Sequence, residues 1–186
     1  MPLVDIREFV QGACQRGENV FGPTFFDQHL AVVAEGATTL AERLGADVQD
    51  VQLAAYLHDI SAVCDPITLP NHPSLSADLA TQLLIERGYP QGRVSSIARA
   101  IASHSNSLPI GTASAEEVCL SNADAVARIL RPAYWMYFAF GVRKSGFKEG
   151  RQWLRSLIEK QWCSLVDPAK ELVGKQYAAT LDLLAQ

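Results

Sequence analysis

Leu53-Ala54-Ala55-Tyr56-Leu57-His58-Asp59-Ile60 is the stretch on which the reading of this chain turns. Leu53 to Leu57 is an apolar, helix-forming run that closes on an imidazole and a carboxylate. His58 alone has an ordinary explanation, since a cation near a helix C-terminus meets the negative end of the dipole. Asp59 resists that treatment: it meets the same negative end, and buried unpaired it would cost several kcal/mol. A bound divalent metal removes both objections, and imidazole with carboxylate suits zinc, manganese, iron or nickel.

Outward from this run, apolar residues recur with helical period almost everywhere. Between Phe25 and Leu44 the stripe is Leu30, Val33, Ala34, Ala37, Leu40, Ala41 and Leu44, and Gly45 ends it. Asp47 suits the N-cap of the next helix, through Val51, Ala54, Ala55 and Leu57. Cys64 to Pro73 holds three prolines and reads as a loop, with Pro73 opening a helix that runs to about Gly88. Further helices are expected over Arg93–Ser103, Ala115–Leu130, Tyr134–Val142, Lys148–Leu165 and Ala169–Leu184, with a loop from Ser105 to Ser114. No convincing strand pattern occurs, so the expectation is an all-α fold, a single compact helical bundle over residues 1–186.

The chain has four histidines, His29, His58, His72 and His104. His29 shares its stripe with Val33, Ala37, Leu40 and Leu44, and His104 shares a face with Ile97 and Ile101. Asp124 lies on the stripe of Leu120 and Ala127. These are polar groups aimed at an apolar interior. Taken singly, each histidine reads as a hydrogen-bonded core residue, and Asp124 as a buried carboxylate paired with Arg128 one turn on.

Bulk properties narrow the class. The 186 residues are 48% hydrophobic and 19% charged with a net charge of −4, an ordinary globular balance without the field of a nucleic-acid-coating surface. Asp5, Arg7 and Glu8 interrupt the opening segment where a secretion signal needs an unbroken apolar run. The apolar stretch Tyr134–Phe140 is far short of the roughly 20 residues that span a bilayer. Cys14, Cys64, Cys119 and Cys163 lie far apart with no paired spacing, as expected for reduced thiols in a cytoplasmic protein.

The order His29, His58-Asp59, His72, His104, Asp124 resembles the HD-domain superfamily of metal-dependent phosphohydrolases, over about residues 24–131. That family has a helical His, an adjacent His-Asp pair and a later helical Asp, and many members add two intervening histidines. Two details depart from its usual text: Ser61-Ala62 follow Ile60, and Asn122 stands two residues before Asp124. The resemblance implies a metal-binding core over 24–131, with helices of 132–186 packed on it. It implies one or two divalent ions (Mn, Fe, Zn, Ni or Co), the first on His29, His58, Asp59 and Asp124. The second would take His72 and His104, with Asp59 bridging and His58 and Asp59 as catalytic residues. Water held between two cations loses a proton near neutral pH, which suits hydrolysis of a phosphomonoester or phosphodiester. The expected substrate is a nucleotide or similar small phosphorylated metabolite. Two other readings share the ligand set: a di-iron oxygenase and a non-catalytic ligand-sensing domain.

Phosphate recognition needs further cations. Arg128 and Arg131 follow Asp124 by four and seven residues, and either share its face or are solvated at the surface. Arg143, Lys144 and Lys148 surround Gly146, as a basic loop over a site or as an ordinary loop. Ser61 and Asp65 are candidates to touch a metal-bound water, and Cys64 for an inert thiol near the metal. The cluster Tyr134, Trp135, Tyr137, Phe138 and Phe140 either stacks on a base or fills the core. Trp153 and Trp162 pack the C-terminal helices or form a homodimer contact.

Overall fold

The computed structural model describes residues 2–105 and 111–185, and among these there is no strand. Four helices form the centre: α2 (Ala31–Leu44) and α6 (Gln91–Ser103) each pack against both α3 (Val48–Leu57) and α7 (Ala115–Leu130). Around them lie α1 (Pro2–Cys14) against α3 and the short α4 (Ile60–Cys64), and α5 (His72–Glu86) against α6. After the short α8 (Pro132–Tyr137), the helices α9 (Phe147–Ser164) and α10 (Asp167–Ala185) close over α7. One contiguous apolar cluster runs through all of these, from Ile6 to Leu184. The fold is all-α, as the helical period requires.

Local chemistry sets the boundaries. Gly45 takes a left-handed φ of 72° and returns its N–H to Ala41 O, ending α2. Asp47 caps α3 by accepting from Asp50 N at 2.9 Å. Ser114 and Glu117 form a reciprocal capping box at the start of α7. Pro132 then starts α8 at a position that needs no donor.

Several elements differ from expectation. The first is α1, which buries Ile6, Val10, Ala13 and Cys14 at helical spacing. The expected loop after Cys64 is partly ordered as a 3-10 turn over Pro66–Asn71, and Asp65 accepts from Ile67 N to open it. The helix from Phe25 begins as a π turn, Phe26–Leu30, and a second π turn, Phe138–Val142, continues α8. Of the expected loop from Ser105 to Ser114, residues 106–110 lie outside the described residues. No helix among the described residues is long and apolar enough to cross a membrane.

Candidate metal centre

Six elements converge on one point. His29 comes from the π turn Phe26–Leu30, where the widened backbone turns the imidazole inward. His58 is the C-cap of α3, and Asp59 leaves the helical region with φ −111° and ψ 10° before α4 restarts the chain. This sparsely populated conformation, frequent at active sites, separates His58 from Asp59 in direction. His72 opens α5, His104 caps the end of α6, and Asp124 lies in the middle of α7. His29, His58, Asp59, His104 and Asp124 are buried, while His72 is partly exposed.

The Asp59 carboxylate sits at the centre, and its two oxygens face different histidines. Oδ2 lies 3.3 Å from His58 Nε2 and 3.8 Å from His29 Nε2. Oδ1 lies 3.2 Å from His72 Nε2 and 3.8 Å from His104 Nε2. Asp124 Oδ1 approaches the first group, 3.1 Å from His29 Nε2 and 3.9 Å from His58 Nε2. Ligand atoms held about 2.1 Å from a common ion at tetrahedral or octahedral angles stand roughly 3–3.4 Å apart. The closest of these separations fit that range, and the donor types form two groups, His29–His58–Asp59 and Asp59–His72–His104.

The unused hydrogen-bonding capacity also fits a metal. His29 Nε2 and His58 Nε2 are buried without a hydrogen-bond partner among the described residues, the 3.1 Å approach of Asp124 to His29 being off the hydrogen-bond line. Meanwhile His58 Nδ1, His72 Nδ1 and His104 Nδ1 lie 2.8, 2.8 and 2.6 Å from the carbonyls of Ala55, Leu69 and Ile101. Each of these bonds leads back three residues, so local helical geometry sets the tautomer and leaves the Nε2 lone pair facing Asp59. Behind the site, Phe25 stacks on His29 at 4.9 Å and Trp135 meets it edge-on at 5.5 Å. These apolar walls lower the local dielectric and strengthen every charge interaction inside.

Electrostatics follow. Burial would push the Asp59 carboxyl up, but His58, with His104 and His72, outweighs it and holds it well below the usual carboxylate range. Asp124 is likewise held low, the Arg128 charge and His29 overcoming the effect of burial. Burial pulls His29 below its usual value and His104 down to about 4, the nearby His58 charge adding to the latter. His58 moves the other way, because Asp59 beside it outweighs burial. Both carboxylates are therefore held ionised and His29 and His104 neutral, the forms that coordinate a cation.

A cleft of about 310 Å³ opens over this centre, lined by His72, His104 and Asp124 together with Arg128, Lys160 and Gln161. Arg128 donates from Nε to Asp124 Oδ1 and Oδ2, and its guanidinium rests 4.9 Å over the Trp135 ring. Of the other expected cations, Arg131, Arg143 and Lys144 do not line this cleft. Arg131 is an exposed C-cap of α7, and Arg143 lies 4.9 Å over Trp153. Lys160, on α9, is a cation of the cleft that sequence reasoning passed over. Its position in an ordinary amphipathic helix gave no signal.

The remaining candidates have structural partners. Ser61 Oγ bonds Ser76 Oγ at 3.0 Å and donates to His72 O at 3.3 Å, fastening α4 to the start of α5. Asn122, which departs from the usual family text, accepts from Val166 N at 2.8 Å and so ties α7 to the α9–α10 turn. Cys64 is half-buried, with its thiol pushed up by burial. Tyr134, Trp135 and Phe138 are core residues, whereas Tyr137 and Phe140 reach the surface. Trp153 packs near Phe138, and Trp162 stacks on Tyr177 at 4.3 Å, so both pack the C-terminal helices.

Comparison with known proteins agrees with this geometry. The HD domain family matches residues 26–129. Bacillus subtilis YpgQ superposes with a TM-score of 0.69 at 20% identity, covering 99% of this chain and 92% of that one. Its complex with ADP gives 0.68 at 20% identity, covering 99% and 94%. A predicted HD superfamily hydrolase from an uncultured Thermotogales bacterium gives 0.64 at 22% identity, covering 98% and 88%. At these identities the structures carry the fold. No curated protein matches the chain in sequence.

Proposed function

The chain belongs to the HD domain family, and from that premise we propose that it is a metal-dependent hydrolase of phosphate bonds in a nucleotide or similar small phosphorylated metabolite. The observation that carries this reading is Asp59, whose two carboxylate oxygens face separate histidine pairs. His29, His58, Asp59 and Asp124 would hold one divalent ion, and His72 and His104 a second, with Asp59 shared. Bound cations there would polarise a phosphoryl oxygen and acidify water.

The chain's own residues do the rest. Asp59 fixes the spacing of the two histidine pairs, and the Ala55, Leu69 and Ile101 carbonyls hold three imidazoles in the coordinating tautomer. Arg128 presents a charged group at the cleft beside Asp124, where a phosphoryl oxygen would lie. That a structural neighbour was solved with ADP supports a phosphorylated ligand in this fold.

The test is elemental analysis of the purified protein, followed by turnover of a nucleotide panel with Mn, Fe, Zn, Ni and Co. Phosphate or pyrophosphate release that depends on one of these ions is expected. Absence of any bound transition metal, or oxygen consumption with the phosphate bonds left intact, would overturn the reading.

A further inference from the structure

Two helix faces meet across the cleft, and both follow helical spacing. From α7 come Ser121, Asp124 and Arg128, at steps of three and four residues. From α9 come Leu157, Lys160, Gln161 and Ser164, at steps of three, one and three. The second face carries a cation, an amide and a hydroxyl around one apolar residue, and α9 packs directly on α7. No aromatic side chain lines the cleft among the described residues. Beside the Asp124 carboxylate, Arg128, Lys160 and Gln161 supply donors suited to anionic oxygens.

The charges on the two faces are not equivalent. Arg128 already serves Asp124 through Nε, while Lys160 has no carboxylate within ion-pair distance among the described residues. Lys160 is exposed and lines the same cleft as His72, His104 and Asp124, so its ammonium charge is available to an anion bound there. A substrate with a single phosphate would have that group at the His72–His104–Asp124 side. Lys160 is placed to meet a further phosphate.

We propose that Lys160 is a specificity-determining residue that binds a second phosphate group, so that the cleft prefers phosphoanhydrides such as nucleoside diphosphates over monophosphates. This rests on the phosphohydrolase reading above. The Gln161 amide adds a neutral donor to the same phosphate, Ser164 Oγ donates to Gln161 O at 2.7 Å, and Arg128 faces the cleft from α7.

The test compares wild type, Lys160→Ala and Lys160→Arg in the manganese-loaded protein, on ADP and on AMP. A charge-assisted hydrogen bond is worth enough that its loss should raise KM for ADP about 10-fold or more. The expected pattern is little change in kcat, little change toward AMP, and recovery of KM in Lys160→Arg. An equal effect on ADP and AMP, or no effect on either, would overturn the proposal. If wild type turns over neither nucleotide, the hydrolase reading is decided by the wider nucleotide and metal panel, and the proposal is judged separately by calorimetry with inorganic pyrophosphate. Tighter binding of pyrophosphate to wild type than to Lys160→Ala would uphold Lys160 as the anion-binding residue. Equal or absent binding would sink it. Lys160 is exposed and has no ion-pair partner among the described residues, so unchanged thermal midpoints are expected for both variants.

Discussion

Arg128 holds Asp124 through Nε alone, at 3.0 and 3.1 Å from the two carboxylate oxygens, one helical turn along α7. Neither terminal nitrogen of that guanidinium hydrogen-bonds to another described residue, and the side chain lines the cleft. Asp124 thus shares its charge between an internal cation and the histidine cluster. Whatever metal binds competes with, or adds to, Arg128 at this carboxylate.

The first prediction follows from that competition. In the metal-free protein, Arg128→Ala leaves a buried carboxylate without its cation and should cost about 3 kcal/mol, the low end for a buried pair because the guanidinium is partly exposed. With manganese present the loss should be clearly smaller, since the ion takes over as partner of Asp124. Urea unfolding with and without metal measures the difference. An identical loss in both conditions would remove Asp124 from the ligand set.

Asp59 gives a sharper test of the centre. Asp59→Asn keeps the size and removes the charge that faces both histidine pairs, so bound metal and turnover should both be lost. The apolar cluster from Ile6 to Leu184 does not involve Asp59, so helical circular dichroism should persist. Full metal content by elemental analysis in this variant would contradict the shared-carboxylate assignment.

Two glycines should respond in opposite directions. A methyl at Gly36 would meet Ala123 Cβ at 3.7 Å, an ordinary contact, so Gly36→Ala should stabilise α2 by about 0.5–1 kcal/mol. A methyl at Gly150 would overlap the Phe140 ring, so Gly150→Ala should destabilise by about 1–3 kcal/mol although helix propensity favours alanine. Thermal midpoints decide this, and a gain in both variants would count against the α9 packing described.

Alkaline behaviour follows from the buried thiols. Cys119 donates to Ala37 O at 3.2 Å, and burial, with the Glu116 charge, pushes it from the ordinary 9.0 up to about 12. Cys14 is pushed up to about 12 as well, again chiefly by burial. Between those values the folded state binds more protons than the unfolded one, so stability falls as pH rises through that window. Denaturant midpoints measured upward from pH 9 should decline, and less steeply in Cys119→Ala. At pH 8 a thiol reagent should label exposed Cys163 first and reach Cys14 and Cys119 only on unfolding. Rapid labelling of Cys119 in the folded protein would contradict its burial.

Much of this was legible in advance, element by element. The apolar stripe from Leu30 to Leu44 and the stop at Gly45 identify α2, and Asp47 marks α3, because these signals are local. The helix α1 has a stripe in Ile6, Val10 and Ala13, with the charges of Asp5, Arg7 and Glu8 interleaved through it. The π turn that delivers His29 has no local signature, since its extra residue is held by packing around Phe25 and Trp135. Arg143 and Lys144 looked suited to phosphate because they cluster in sequence, whereas Lys160 faces the cleft from a helix that looked ordinary.

By itself, then, the sequence determined the helical class, the order of the four histidines and two aspartates, and the discomfort of Asp59 at a helix end. Periodicity and dipole arguments act over one or two turns, and these features need nothing longer. Only the tertiary structure decided which oxygen of Asp59 faces which histidine pair, and that α9 lays Lys160 opposite Arg128. Those relationships depend on how helices far apart in the chain rotate against one another, and that rotation is set by the packing of the whole core.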